Sequence, residues 1–182
     1  MIGVQRVLDF WFKEITPEKW WIKDAEFDDM ILDRFESLYL QAIKCELYAW
    51  RQTAEGRLAE VIVLDQFPRN MYRNQAAAFA HDNLAVALTQ SAIDNGADLT
   101  FLEEPQKLSF LYMPLMHSES VVIHQLAVKM FSKPGLEHNL EFEHKHKVII
   151  DRFGRYPHRN KILGRTSSEA EKQFLTQEGS SF

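Results

Sequence analysis

The sequence predicts an all-α fold, a single-domain antiparallel array of about seven to eight helices that covers residues 1–182. Apolar side chains recur every three or four residues through most of the chain, which is the spacing of one helix face. Prolines, glycines and capping residues separate these periodic segments, and no turn signal joins two alternating segments into a hairpin. With 46% hydrophobic and 26% charged residues, a chain of this length can bury a substantial core within one domain.

The first helical segment covers residues 2–13 and is followed by the breaker Thr16-Pro17-Glu18. Asp24 or Asp28 is expected to cap a second helix that runs to about Lys44, because an aspartate side chain accepts hydrogen bonds from the free N–H groups of the first turn. The remaining helices are expected at 58–67, 75–95, 105–113, from Ser118 to the Pro134-Gly135 break, from Leu140 through Ile150, and after a Thr166-Ser167-Ser168-Glu169 capping box.

Breaker residues define several of these ends. Pro68 disfavours the α conformation in Phe67, so the third helix is expected to end near that residue. Asn74 is expected to cap the fourth helix and Gly96 to close it, while Pro114 is expected to stop the fifth. The third helix is apolar nearly all round, which predicts that other elements cover it on several sides.

A ten-residue pattern, Asp-x-Phe-x-Arg-x-x-x-Arg-Asn, occurs twice, at residues 65–74 and 151–160. Each copy follows an aliphatic pair and is expected at the end of a helix. The repeated polar residues are Asp65, Arg69, Arg73 and Asn74 in the first copy, and Asp151, Arg155, Arg159 and Asn160 in the second. We therefore expect two related helical units that face each other.

The second copy lies in a strongly basic segment. Residues 144–165 contain seven Lys or Arg side chains against Asp151 alone, a local charge of +6, whereas the whole chain carries −5. A basic segment in an acidic protein indicates an anionic partner, which is either an acidic face of the same chain or a ligand.

The arginines of both copies are therefore expected to converge on a pocket for a small anionic molecule that bears a phosphate or a carboxylate. Guanidinium groups suit this role because their fork-shaped donors match both anions. The candidate ligand-binding residues are Asp65, Arg69, Asn70, Arg73, Asp151, Arg155, Arg159 and Asn160. The candidates for proton transfer are His117, Glu119 and His158, and the sequence leaves open whether the protein is an enzyme.

Two other uses of the same arginines remain open. Each copy can form an architectural Asp–Arg pair that holds the turn after its helix, and in that case Asp151→Ala mainly lowers the melting temperature. The arginines can also pair with the first sixty residues, which contain 12 Asp or Glu against 8 Lys or Arg.

An interaction module is a different class of function for the same sequence. A basic groove would receive an acidic peptide segment or a C-terminal carboxylate, with Trp20, Trp21 and Tyr156 as aromatic anchors. The shape of the site distinguishes the two classes, since a closed polar cavity favours a metabolite and an open groove favours a peptide.

Other chemistries lack their signatures. The one cysteine, Cys45, excludes a disulfide within the chain, and without a signal peptide or a run of about 20 apolar residues we expect a cytoplasmic location and no membrane partner. No metal motif, phosphate-binding glycine loop or nucleophile elbow is present, so we expect no cofactor and no metal, although recruitment of a metal near His144 and Asp151 stays open. The net charge of −5 disfavours a nucleic-acid partner, and the sequence does not determine the oligomeric state.

Several longer motifs resemble signatures of domain-of-unknown-function family 924. The matching stretches are residues 7–12, 20–21, 64–70, 78–82, 110–119, 152–160 and 163–165. Lys13 departs from the pattern, since a glycine is common after the aromatic run, and the C-terminal helix begins without the usual proline. The resemblance extends over essentially the whole chain. It implies an all-α fold similar to tetratricopeptide-repeat proteins and no established activity.

Overall fold

The computed structural model describes residues 3–181, and all regular structure in that part of the chain is helical. The α-helices are α1 (Val4–Asp9), α2 (Ala25–Ala42), α3 (Ala54–Met71), α4 (Asp82–Asp94), α5 (Pro105–His117), α6 (Val121–Phe131), α7 (Glu137–Phe153) and α8 (Glu169–Phe174). No β-strand occurs among the described residues, so the predicted all-α class is confirmed. No helix in 3–181 combines the length and the apolar character that crossing a bilayer requires. The single-domain extent and the tetratricopeptide-repeat-like arrangement stay predictions.

Helix α3 lies at the centre of the fold. It packs against α1, α2, α4 and α5, and every residue from 58 to 68 is buried. A helix that is surrounded in this way has no solvent face to mark with polar residues, which explains why its sequence is apolar nearly all round. The prediction that several elements cover this helix is confirmed.

Two prolines lie inside helices that they were expected to end. Helix α3 continues past Pro68 to Met71, and α5 continues past Pro114 to His117, so both predicted ends are wrong. A proline removes only its own N–H bond, and buried neighbours stabilise the next turn in each case: Met71 is 7% exposed in α3, and Met116 is 3% exposed in α5. These extra turns keep Arg69 and His117 on rigid helices.

The chain between α3 and α4 departs most from the expected pattern. Residues 75–95 were expected to form one helix, but a short 3-10 helix (Ala76–Phe79) precedes α4, so this prediction is wrong. Asn74 is in the left-handed conformation with φ of 63° and does not cap either helix. Gly96, with φ of 68°, follows the C-terminal end of α4, as the sequence predicted.

Two of three expected caps lie at or close to their predicted positions. Asp24 caps α2 and accepts hydrogen bonds from the N–H groups of Glu26 and Phe27. The C-terminal capping box is present but joins Ser168 to Glu171, two residues later than expected. Ser118 does not cap α6, because it is the C-cap of the lengthened α5.

Candidate functional site

Asp65 is fully buried on α3 and binds His117 at the end of α5. The Nδ1 atom of His117 lies 2.8 and 3.0 Å from the two carboxylate oxygens. Gln66 Nε2 donates to Asp65 Oδ2 at 2.5 Å, and Arg69 Nη1 lies 3.4 Å from Oδ1. The expected Asp65–Arg69 pair is therefore present, but the shortest contacts of this carboxylate are with Gln66 and His117.

The charges around this pair determine its protonation. Burial alone would raise the pKa of Asp65, but Arg69 and His117 outweigh it and lower the pKa to about 2. Burial, reinforced by Arg69, lowers the pKa of His117 below its usual 6.5, so its ring is neutral at pH 7. A neutral ring whose Nδ1–H donates to Asp65 carries its lone pair on Nε2, which makes no hydrogen bond with the described residues.

Asp82, the first residue of α4, joins the two copies of the repeated motif. Arg69 donates to its carboxylate through Nη1 at 3.0 Å and Nη2 at 2.9 Å, which is a bidentate contact. Arg159 donates to the same carboxylate through Nη1 at 3.2 Å. The expected convergence of arginines from both copies is thus met by Arg69 and Arg159. We call Asp65, Arg69, Asp82, His117 and Arg159 the arginine cluster.

Arg159 is held between two aromatic rings. Its Cζ atom lies 4.5 Å from the ring centroids of both Phe79 and Tyr156, and its side chain is 7% exposed. Stacking on ring faces favours a cation and fixes the guanidinium plane. Nε of Arg159 is buried and makes no hydrogen bond with the described residues. Burial, reinforced by Arg69, lowers the pKa of Arg159 from its usual 12.5.

The loop that carries Arg159 is fixed by local backbone signals and by one carboxylate. Gly154, with φ of 68°, closes α7, and the 3-10 helix Pro157–Arg159 follows. Glu119 accepts a hydrogen bond from the Tyr156 backbone N–H at 2.8 Å and two from Arg165 at 2.5 and 2.9 Å. Both oxygens of Glu119 are therefore occupied in holding this loop against the start of α6.

Tyr156 is supported from below by a buried histidine–glutamate pair. Its hydroxyl donates to the Met116 carbonyl oxygen at 2.5 Å and lies 3.3 Å from His124 Nε2. His124 Nδ1 lies 2.7 Å from Glu143 Oε1, and both side chains are fully buried. Burial raises the pKa of Glu143. These contacts fix one of the two rings that hold Arg159.

Two of the four expected arginines lie outside the cluster. Arg73 binds Asp28 of α2 through Nε at 2.5 Å and Nη2 at 2.7 Å. Arg155 binds Glu171 of α8 in the same way, at 2.7 and 2.9 Å. Their expected convergence with the other two arginines is wrong, because a carboxylate from a neighbouring element already occupies the fork of each. Arg73 instead fits the open alternative of pairing with the acidic first sixty residues.

Asp151, Asn70 and Asn160 also serve other contacts. Asp151 is exposed and binds Lys147 at 2.5 Å, so the expected Asp151–Arg155 pair is wrong. Asn70 donates to the Gln66 carbonyl oxygen, and Asn160 donates to Ser167 and accepts from Arg165. These bonds stabilise helix ends and loops. His158 is more notable, because its Nδ1 is buried without a hydrogen-bond partner among the described residues.

The three aromatic residues expected to anchor a peptide do not form one exposed set. Tyr156 is fully buried, and Trp20 is partly buried and donates from Nε1 to the Trp11 carbonyl oxygen at 3.0 Å. Trp21 is 62% exposed and stacks on Phe110. One exposed aromatic ring is left from the expected three.

A profile of the family described as Bacterial protein of unknown function (DUF924) matches residues 7–179. The chain belongs to this family. A solved structure described as the protein of unknown function ATU0120 from Agrobacterium tumefaciens is 38% identical to this DUF924 protein, with a TM-score of 0.89. That match covers 94% of this chain and 96% of the other. No curated protein matches the chain.

Sequence reasoning missed the residues of the DUF924 protein that complete the cluster. Phe79 and Gln66 were noted only as part of family motifs, and Asp82 was noted as a neighbour of His81 on the expected long helix but was not placed in the site. A carboxylate in the first turn of a helix has a sufficient local explanation in the helix dipole, so nothing in the sequence marked Asp82 as a partner of two distant arginines. Only the packing of α4 against α3 shows it.

Acid is expected to destabilise this protein partly through the Asp65–His117 pair. A carboxyl whose pKa is about 2 in the folded state and 3.8 ordinarily contributes stability above pH 3.8, and the contribution is lost as the pH falls towards 2. It is worth about 2–3 kcal/mol. The lowered pKa of His117 acts in the same direction as the pH falls below 6.5. Urea unfolding of Asp65→Asn at a series of pH values should show a shallower decline than the wild type, and equal declines would contradict this origin.

Proposed function

We propose that this DUF924 protein binds a small anionic metabolite, one bearing a phosphate or a carboxylate, at Arg159 and Arg69. The observation that supports this most directly is the hydrogen bonding of Arg159. Its bond to Asp82 is the one that this guanidinium makes within residues 3–181, although its side chain is 7% exposed and its Nε is buried. A buried donor without a partner costs about 1–3 kcal/mol, and more when the group is charged. An oxyanion at this position would supply the missing acceptor.

Other arginines of the same chain show how such a guanidinium is normally satisfied. Arg51, Arg73 and Arg155 each bind a carboxylate through the edge formed by Nε and Nη2, with distances of 2.5–2.9 Å. Arg159 uses Nη1 for Asp82, so no carboxylate of the described chain occupies the same edge, and in this proposal an anion takes that place. This comparison supports a ligand more strongly than the local charge of +6 did.

Within this proposal, His117 is the proton acceptor for any reaction of the bound molecule. A neutral imidazole oriented by a buried carboxylate is the arrangement that general-base catalysis requires. Arg69 contacts both Asp65 and Asp82, so the His117 pair and Arg159 belong to one connected cluster. Burial, reinforced by Arg159, lowers the pKa of His158 to about 4, so it is a second neutral imidazole beside the anion. Glu119 has a positioning role, because both of its oxygens hold the loop of Arg159.

The change Arg159→Gln is expected to remove anion binding. The substitution removes the charge-assisted bidentate contact between the guanidinium and the anion. Losing that contact should lower the affinity for the anion on the order of tenfold to a hundredfold. A thermal-shift panel of small carboxylates, phosphorylated metabolites and nucleotides would identify a binding anion, and isothermal titration would measure the loss.

Arg152→Gln is the matched control. Arg152 is an exposed arginine of the same basic segment, and its substitution changes the net charge by the same amount. We expect it to bind as the wild type does. Arg159→Lys keeps the charge but not the fork, and should recover little of the affinity. Equal losses in Arg152→Gln and Arg159→Gln, or no shift from any anion, would contradict the proposed site.

A further inference from the structure

The arginine cluster carries no surplus of positive charge. Arg69 and Arg159 contribute two positive charges, and Asp65 and Asp82 contribute two negative charges. His117 adds nothing at pH 7, because burial lowers its pKa. Of the seven cations behind the local +6 of the sequence, Arg159 alone lies in the cluster, where it binds a carboxylate of α4.

The buried groups next to the cluster do not change this balance, and the further cation close to His158 is Lys23, which is exposed. Glu119 and Arg165 form an ion pair with each other, with side chains that are both 24% exposed. His158 is neutral at pH 7, since burial lowers its pKa to about 4. An anion bound to Arg159 would thus meet one guanidinium edge and no additional buried cation, while the charge of the exposed Lys23 is screened by water.

This charge balance distinguishes between classes of anion. A carboxylate brings one charge, which the free edge of Arg159 can pair with two parallel hydrogen bonds. A phosphate monoester is mostly a dianion above pH 6, and its second charge would enter a buried site without a counter-charge. The desolvation of that charge would not be compensated, and Asp82 would repel it.

Other arginines of the chain show the contact that a carboxylate would make with this edge. The two oxygens of Glu60 bind Arg51 at 2.7 Å each through Nε and Nη2, and Glu171 binds Arg155 at 2.7 and 2.9 Å. The fold thus already contains this planar two-point contact elsewhere.

We infer that the anion recognised at Arg159 is the carboxylate of a small monocarboxylic acid, bound side-on to Nε and Nη2. This inference rests on the proposed anion site and narrows its ligand class.

The test follows the Nε–H signals of arginine in ¹⁵N-labelled protein by NMR at pH 7.5. The Arg159 signal is assigned by its loss in Arg159→Lys, and the Arg155 signal in the same sample is the internal control, because Glu171 occupies its edge. Acetate, methyl phosphate and dimethyl phosphate are added separately at constant ionic strength. Acetate should shift the Arg159 signal downfield and saturate, with a Kd at least about tenfold lower than that of methyl phosphate. The Arg155 signal should not move.

Each other outcome has a definite meaning. If methyl phosphate moves the Arg159 signal with an affinity equal to or higher than that of acetate, the carboxylate inference fails and the anion site stands. Tighter binding of dimethyl phosphate than of acetate also overturns the carboxylate, because the two anions carry the same charge. If none of the three moves the Arg159 signal, or if Arg155 responds equally, the anion site itself is overturned.

Discussion

Asp65→Ala is expected to lower the free energy of unfolding by about 3–5 kcal/mol, the cost of removing one member of a buried ion pair. Asp65 is fully buried and accepts hydrogen bonds from Gln66 and His117, while Arg69 lies 3.4 Å away. Without the carboxylate, these three polar groups lose a shared partner in a place that water does not reach freely. Urea unfolding monitored by circular dichroism measures the change.

The repeated motif supplies the control for this experiment. Asp151 occupies the same motif position as Asp65, but it is exposed and binds Lys147 on the helix surface. Asp151→Ala should therefore change the free energy of unfolding by no more than about 0.5 kcal/mol, as is usual for exposed helix ion pairs. Similar losses in both variants would mean that the two copies are equivalent architectural pairs, contrary to their different surroundings.

Asp82→Asn is expected to change both the stability and the anion preference of the protein. Arg69 and Arg159 share this carboxylate, so its neutralisation weakens three charge-assisted hydrogen bonds and should cost about 2–3 kcal/mol. The arginine cluster then has a net charge of +1 instead of zero. A second charge on the ligand acquires a counter-charge, so the affinity for methyl phosphate should rise by at least about tenfold relative to acetate.

Asp94→Asn is the matched control on the same helix. Asp94 is an exposed residue at the other end of α4, and its substitution makes the same change in net charge. Its ratio of acetate to methyl phosphate affinity should equal that of the wild type. An unchanged ratio in a folded Asp82→Asn variant would show that the charge balance of the cluster does not select the ligand.

Sequence reasoning was most successful where the structure depends on local chemistry. The apolar character of α3 predicted that several elements cover it. Asp24 predicted the cap of α2, and Gly96 predicted the end of α4. It failed at Pro68 and Pro114, where burial of the following turn outweighs the loss of one backbone hydrogen bond.

The repeated motif shows the same division within the candidate site. Its residues correctly marked Arg69 and Arg159 as side chains from two distant segments that converge. They also correctly marked Asp65 as a partner of Arg69. The motif could not distinguish these from Arg73 and Arg155, because the carboxylates that bind the latter two, Asp28 and Glu171, lie 45 and 16 residues away along the chain.

Residue spacing and charge are local properties, so the residues alone predict a helical protein with a basic, arginine-rich segment. Tertiary packing is what leaves Nε of Arg159 buried without a hydrogen-bond partner among the described residues. Arg159 meets Asp82 from 77 residues away, and His117 meets Asp65 from 52 residues away. Such contacts depend on how whole helices pack. The same packing gives Arg73 and Arg155 a carboxylate partner and leaves Nε of Arg159 without one.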